Sequence, residues 1–291
     1  MLFTIKDIEN LSGIKAHTIR IWEQRYSFLK PQRSETNIRY YTNEDLKTIL
    51  NIALLNKYGF KVSHIDKMSA ETIAENVLSL SDSGAKDHLT VNRLLECMVD
   101  YEVDNFETIL NESLVTFGME KMVVKIIFPF LEKVGSLWVT NHVNPAQEHL
   151  VSNVIRQKVI AGIDSLPSRK VSAKKVCLFL PTGEYHEIAL LLVAYLLKKN
   201  GVKTIYLGAH TPFTELETII EHHKPDYLYT HVTSSSKNFN FENFIATLGK
   251  KFKNCHAIIS GRFTENFGKK IPSNVSFKKS LGEVKEFINT L

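Results

Sequence analysis

Apolar side chains recur at helical spacing from the start of the chain. Ile5, Ile8 and Leu11 share one face, and Thr4 and Asp7 stand at capping-box spacing, so a short helix is predicted from Ile5. Ser12-Gly13 breaks it. A second helix opens near Lys15, turning Ile19 and Trp22 toward a core and leaving His17, Arg20 and Gln24 on another face. Pro31 ends that stretch, and Arg33 to Tyr41 alternate about a polar Ser34-Glu35-Thr36-Asn37 tip, as a small two-stranded hairpin would. Leu46, Ile49, Leu50, Ala53 and Leu54 form the next helical stripe, with a break at Gly59 and a short helix around 63–68. The small, polar run 79–84 has the composition of a linker. From about 86 to 166 the pattern is helical almost throughout, a length that suits a four-helix bundle. Within it, Asn144, Pro145 and Gln147 mark an explicit helix start. After Pro167 the character changes. Short apolar strands at 176–180, 204–207, 227–229 and 257–259 alternate with amphipathic stretches at 185–199, 213–223 and 241–252, which predicts a parallel sheet.

These patterns describe a multidomain chain. A winged helix-turn-helix head occupies 1–72, a linker 73–88, a helical bundle 89–168, and an α/β domain with a flavodoxin-like (Rossmann-like) parallel sheet 172–291. The head concentrates charge: residues 15–39 carry Lys15, Arg20, Arg25, Lys30, Arg33 and Arg39 against Glu23 and Glu35, where phosphates of a nucleic acid would lie. The formal net charge of +5 agrees with such a partner. No apolar run of membrane-spanning length and no signal peptide is visible, so the expected location is the cytoplasm. Cys97, Cys177 and Cys255 are far apart and show no CxxC spacing, which argues against a zinc site, a disulfide framework or a thiolate metal sensor. In the α/β domain, ligands are expected at the carboxyl ends of the strands. The first such loop, Pro181 to His186, has no G-x-G-x-x-G or Walker pattern, which argues against a nucleotide.

The segments TIRIWEQRY and NIRYY, followed by Thr42-Asn43-Glu44-Asp45-Leu46 opening a helix, resemble the MerR family of winged-helix transcription regulators over about the first 70 residues. The resemblance implies a double-stranded DNA operator read by a homo-oligomer, a dimer or a tetramer. It assigns Arg20, with Lys15, His17 and Thr18 on the same short helix, to the groove, and Arg33, Arg39, Tyr40 and Tyr41 to wing contacts with the backbone. Asn37 stands where the wing usually has glycine, and asparagine also accepts a left-handed conformation.

Further along, Glu184-Tyr185-His186 resembles the Asp-x-His-x-x-Gly motif of cobalamin-binding domains, whose histidine coordinates cobalt from the lower face. Trp138, nine intervening residues and Glu148-His149 match a pattern of MerR-type regulators with cobalamin-binding sensors, the CarH/LitR-like group. The resemblance implies adenosylcobalamin as cofactor, with His186 the cobalt ligand, Glu184 its orienter, Trp138 packed over the upper ligand and Glu148-His149 holding the adenosyl group. Some members respond to light. The pattern departs at Ala189, in place of the motif's glycine, at His231-Val232-Thr233, in place of Ser-x-Leu, and at Ser260-Gly261, in place of Gly-Gly. These positions line the slot for the cofactor's nucleotide tail, and His231 is large for it. Val139 replaces the histidine that follows the tryptophan in light-sensing relatives. The leading expectation is a DNA-binding regulator with a cobalamin sensor. One alternative is a regulator with a cofactor-free sensor governed by a protein partner or by oligomerisation, and another is a corrinoid methyl-carrier module. No nucleophile, paired-carboxylate or metal-ligand motif points to an enzyme.

Overall fold

The computed structural model describes residues 2–35, 37–139, 144–167, 172–233 and 239–291. It divides into two compact units, 1–155 and 156–291.

The first unit begins with α1 (Ile5–Ser12), whose capping box is formed: the Thr4 backbone N–H donates to the Asp7 carboxylate at 2.7 Å, and the Asp7 N–H donates back to the Thr4 hydroxyl at 3.3 Å. Gly13, at φ +76°, closes the helix in the left-handed region. Then follow α2 (Ala16–Arg25), the hairpin β1 (Gln32–Arg33) and β2 (Arg39–Tyr40), and α3 (Asn43–Lys57), which has a second capping box from Thr42 and Asp45. Phe3, Ile8, Leu11, Ile19, Leu29, Tyr41, Leu46 and Ile49 are fully or almost fully buried and make the head's core. Next come α4 (Val62–Ile65) and α5 (Ala70–Leu78), and Val77 of α5 packs with Trp22, Ile52 and Leu55.

The expected linker differs from the structure. Only 79–82 lie between α5 and α6 (Ser83–Asp100), because α5 runs to Leu78 and Asp82 caps α6 inside a stretch whose composition reads as loop. The bundle is α6, α7 (Val103–Met122), α8 (Phe128–Val139) and α9 (Pro145–Asp164). Gly118, at φ +73°, kinks α7. The turn over 123–127 widens to π-helical bonding just ahead of Pro129, which has no N–H for the Lys125 carbonyl. The expected start of α9 is present: Ala146 N–H donates to Asn144 Oδ1 at 2.9 Å, and buried Gln147 donates to the carbonyls of Met98 and Val99 at the end of α6. Head and bundle meet within this unit. Asp100 receives Asn43 Nδ2 at 2.8 Å and pairs with Lys47 at 2.8 Å, and the Lys133 ammonium donates to the Leu11 carbonyl at the end of α1.

The second unit alternates β3 (Lys175–Pro181), α10 (Ile188–Lys199), β4 (Lys203–Thr211), α11 (Phe213–His223), β5 (Tyr227–His231), α12 (Phe241–Lys251), β6 (His256–Ser260), β7 (Val275–Lys278) and α13 (Leu281–Asn289). All five strands are parallel, in the order β4-β3-β5-β6-β7. This is the flavodoxin-like order, with the chain reversing direction across the sheet at β3, so the crevice at the carboxyl ends of β3 and β5 is where such sheets bind ligands. Val176 to Leu180 are buried, as a strand covered on both faces requires.

Candidate functional site

In the head, α2 presents His17, Arg20 and Gln24 to solvent while Ile19 and Trp22 anchor it from below. Lys15, at the N-cap, is exposed and reaches Glu9 at 3.4 Å, and Thr18 is half-buried. The wing has the expected register, Gln32 opposite Tyr40 and Arg33 opposite Arg39. Asn37 takes φ +63°, and its Oδ1 accepts from Arg33 Nη1 at 2.6 Å, so the asparagine performs the turn and orients the arginine. Arg39 and Tyr40 are half-buried, and Arg39 Nε pairs with Glu23 Oε2 at 2.9 Å, tying the wing to α2.

Tyr41 is a correction. Its side chain is fully buried, its hydroxyl donates to Glu23, and its backbone bridges to Phe3, so it supports the wing from within and offers no ring or hydroxyl to DNA. Burial, with the Glu23 carboxylate adding to it, raises its phenol well above the ordinary value.

In the bundle, the backbone of Trp138 lies near the end of α8, while its side chain and that of Val139 lie outside the described residues. Glu148 and His149 fall in the first turns of α9. The Glu148 carboxylate lies 3.6 Å from His149 Nε2, and the imidazole is exposed.

The C-terminal unit gathers its predicted residues at the carboxyl ends of β3, β5 and β6. The Glu184 side chain has no exposure, yet it is saturated with donors. One oxygen accepts the backbone N–H of Tyr185 and of His186, each at 3.0 Å, and stands 2.6 Å from His186 Nδ1. The other accepts the backbone N–H of Thr233 at 2.9 Å, from the loop after β5. A buried carboxylate on Nδ1 fixes the tautomer that keeps the proton there and the lone pair on Nε2, the second-shell arrangement that orients a metal-ligating histidine. The imidazole is 67% exposed. The donor set therefore fits an axial nitrogen ligand to cobalt.

Beside it, His231 Nδ1 lies 2.8 Å from Ser260 Oγ, which in turn lies 2.6 Å from the hydroxyl of fully buried Tyr229. Burial lowers His231 to about 4, so it is neutral near pH 7. Gly261, at φ +99°, leaves no room for a side chain, since a Cβ would stand 2.4 Å from the Val232 carbonyl oxygen. Ala189, at the position of the motif's glycine, is half-buried in the first turn of α10.

Sequence reasoning missed two neighbours. His210, at φ +53° near the end of β4, stacks on Tyr185 with ring centroids 5.3 Å apart. Its Nδ1 accepts from Gly183 N–H at 3.1 Å and lies 2.8 Å from the Tyr185 hydroxyl. Strand β4 extends beyond the apolar run ending at Leu207, and nothing local in the sequence marks that extension. Glu187, also missed, is buried and pairs with Arg156 at 2.8 Å, while the Tyr206 hydroxyl donates to it at 3.1 Å. Among the described residues no group of three or more His, Cys, Asp or Glu could hold a bare metal ion, and no helix is long and apolar enough to cross a membrane.

Two family models match parts of the chain. Residues 3–72 match the MerR HTH family regulatory protein model, and residues 90–161 match the B12 binding domain model. The HTH-type transcriptional repressor CarH of Myxococcus xanthus is 25% identical over 252 residues, 84% of this chain and 84% of that protein. CarA, an HTH-type transcriptional repressor of the same organism, is 28% identical over 228 residues, 78% of this chain and 75% of that one. Among solved structures, the Methanosarcina barkeri monomethylamine corrinoid protein superposes with a TM-score of 0.55 at 14% identity, covering 70% of this chain and all of that one, a likeness of fold. The chain joins a MerR HTH region to a B12-binding domain and is homologous to CarH and CarA.

Proposed function

We propose that the protein is a DNA-binding transcription regulator whose C-terminal half senses cobalamin, in its adenosyl form. The observation that carries the sensor reading is the buried Glu184 carboxylate holding His186 by Nδ1 at the carboxyl end of β3. In the head, exposed His17 and Arg20, with Lys15 and Thr18, face the major groove, while Arg33, Arg39 and Tyr40 meet the backbone from the wing. Glu23 orients the wing through Arg39 and Tyr41.

In the sensor, His186 would hold the cobalt through Nε2, with Glu184 keeping the proton on Nδ1. Bound cobalamin would supply a cobalt centre with an exchangeable upper ligand. Trp138, Glu148 and His149 take the upper-ligand roles implied by the family pattern. The His231–Ser260–Tyr229 chain and Gly261 line the slot for the nucleotide tail, and His231 narrows it. Ligand binding shifts the population of oligomeric arrangements and so the number of heads that reach an operator together. No residue is given a catalytic role in this reading, and the corrinoid-protein likeness is one of fold alone.

A gel-shift titration on DNA from upstream of the protein's own gene, with and without adenosylcobalamin, tests the whole reading. A ligand-dependent change in affinity or in the stoichiometry of bound heads is expected. Specific DNA binding that ignores the ligand would instead favour the cofactor-free regulator. Repeating the titration in darkness and in light tests the light input that Val139 calls into question.

A further inference from the structure

Between the head and the bundle, inside the first unit, α1 and α3 face α6 and α8 across a cleft of about 620 Å³, a volume typical of small-molecule sites. Leu50, Ala53 and Pro129 give it an apolar wall. Asn92 of α6 lines it with a side chain more than nine-tenths buried that makes no hydrogen bond among the described residues. Its amide atoms are not among the fully buried atoms that lack a partner, so they keep contact with the cleft and are available to a polar atom of a ligand.

Lys57, His88 and Lys133 line the cleft against Glu132, and Asp82 and Asp87 lie near His88. The Lys57 ammonium stands 3.1 Å from His88 Nε2, so its near neighbour is another potential cation. The Lys133 ammonium has only the Leu11 carbonyl. Neither lysine forms an ion pair among the described residues, and the one acid lining the cleft, Glu132, is exposed. Burial first, and Lys57 next, lower Lys133 to about 8 and also lower His88, against the opposing pull of Glu132 on Lys133 and of Asp87 and Asp82 on His88.

We propose that this cleft binds a small organic anion, a carboxylate or phosphate on an apolar body, with Lys57, His88 and Lys133 on the charged group and Asn92 on a polar atom beside it. Such a ligand touches α3 of the head and α6 and α8 of the bundle at once, so it braces the head against the bundle. The site is separate from the Glu184–His186 group and stands or falls without it.

Calorimetric titration of the full-length protein with phenyl phosphate tests the site, with inorganic phosphate and benzyl alcohol as probes that each lack one half of the chemistry. Saturable one-to-one binding of phenyl phosphate is expected, at least tenfold weaker in Lys57→Met and in Asn92→Leu and unchanged in Arg20→Ala. Inorganic phosphate should bind more weakly, and benzyl alcohol should give no saturable heat. Lys57 is exposed, so its variant retains the fold, and a thermal melt checks the Asn92 variant. No saturable binding at millimolar phenyl phosphate would overturn the proposal. So would binding that survives both cleft substitutions but falls in Arg20→Ala, since the anion would then sit on the DNA-facing helix.

Discussion

Replacing Glu184 by glutamine keeps the shape of the side chain and removes its charge, so it isolates what the carboxylate does. In the native protein one oxygen takes three N–H groups, from Tyr185, His186 and the His186 imidazole, and the other takes the Thr233 N–H at 2.9 Å. A glutamine can keep the first set only by aiming its NH₂ at the Thr233 N–H. Flipped, it aims the NH₂ at all three of the others. The better arrangement strands one buried backbone donor, at about 1–3 kcal/mol, and weakens the remaining charge-assisted bonds by roughly 1 kcal/mol together. A loss of about 2–4 kcal/mol follows, or roughly 10 °C in the melting of a domain this size. Because Thr233 lies 49 residues from Glu184 in sequence, the loss should register on both sides of the crevice. Hydrogen exchange should accelerate in peptides spanning 182–190 and 227–233, by tenfold or more, while peptides of α2 and α3 stay unchanged. A melt within 1 °C of the parent with unchanged exchange in both peptides would refute the bonding scheme and its role as the support of His186.

Three further outcomes follow from the structure. Arg20→Ala should weaken DNA binding by about 1–3 kcal/mol while leaving the head's melt in place, and if its contact is a phosphate the salt slope falls by about 1; unchanged gel-shift affinity would remove Arg20 from the interface. Tyr41→Phe leaves a Glu23 oxygen without its hydroxyl donor and should cost the head about 1–3 kcal/mol of stability, yet well below its melting temperature DNA affinity should match the parent; an affinity loss without destabilisation would return Tyr41 to the DNA face. Burial raises Glu96 to about 7, with nearby Asp100 adding to it and Lys47 and Arg93 opposing. Its folded value lies above its unfolded one, so the folded state holds the extra proton, and stability falls as pH rises from about 4.5 through 7. Glu96→Gln should therefore raise the melting temperature by a few degrees at pH 8 relative to the parent and by almost nothing at pH 4.5, a difference that parallel melts measure.

The parts of this fold that sequence reasoning reached are those whose causes are local. Thr4 with Asp7 and Thr42 with Asp45 announce their helices because each capping bond spans three residues. Asn37 could be read as a left-handed turn residue for the same reason. Alternation could not say which of two adjacent tyrosines faces inward, since neighbours in a strand point to opposite sides. Tyr40 stays half-exposed while Tyr41 closes the core on Glu23, a partner 18 residues away. The short strand Val275–Lys278 and the helix after it escaped notice because a four-residue edge strand with one fully buried residue carries little periodic signal. At the candidate site, Glu184 and His186 were legible as a pair two residues apart. Their neighbour His210 was not, because parallel strands bring together loops from distant parts of the chain.

The central claim, a cobalamin sensor built on His186, is tested most directly by mixing the full-length protein with adenosylcobalamin in the dark, removing unbound ligand by desalting, and recording the visible spectrum beside that of His186→Ala. The parent should retain about one corrinoid per chain, with an absorption distinct from that of free cofactor, and the variant should lose the chromophore or shift its bands toward those of a corrin lacking the imidazole ligand. A parent that retains no chromophore, or a variant whose spectrum matches the parent's, would contradict the account.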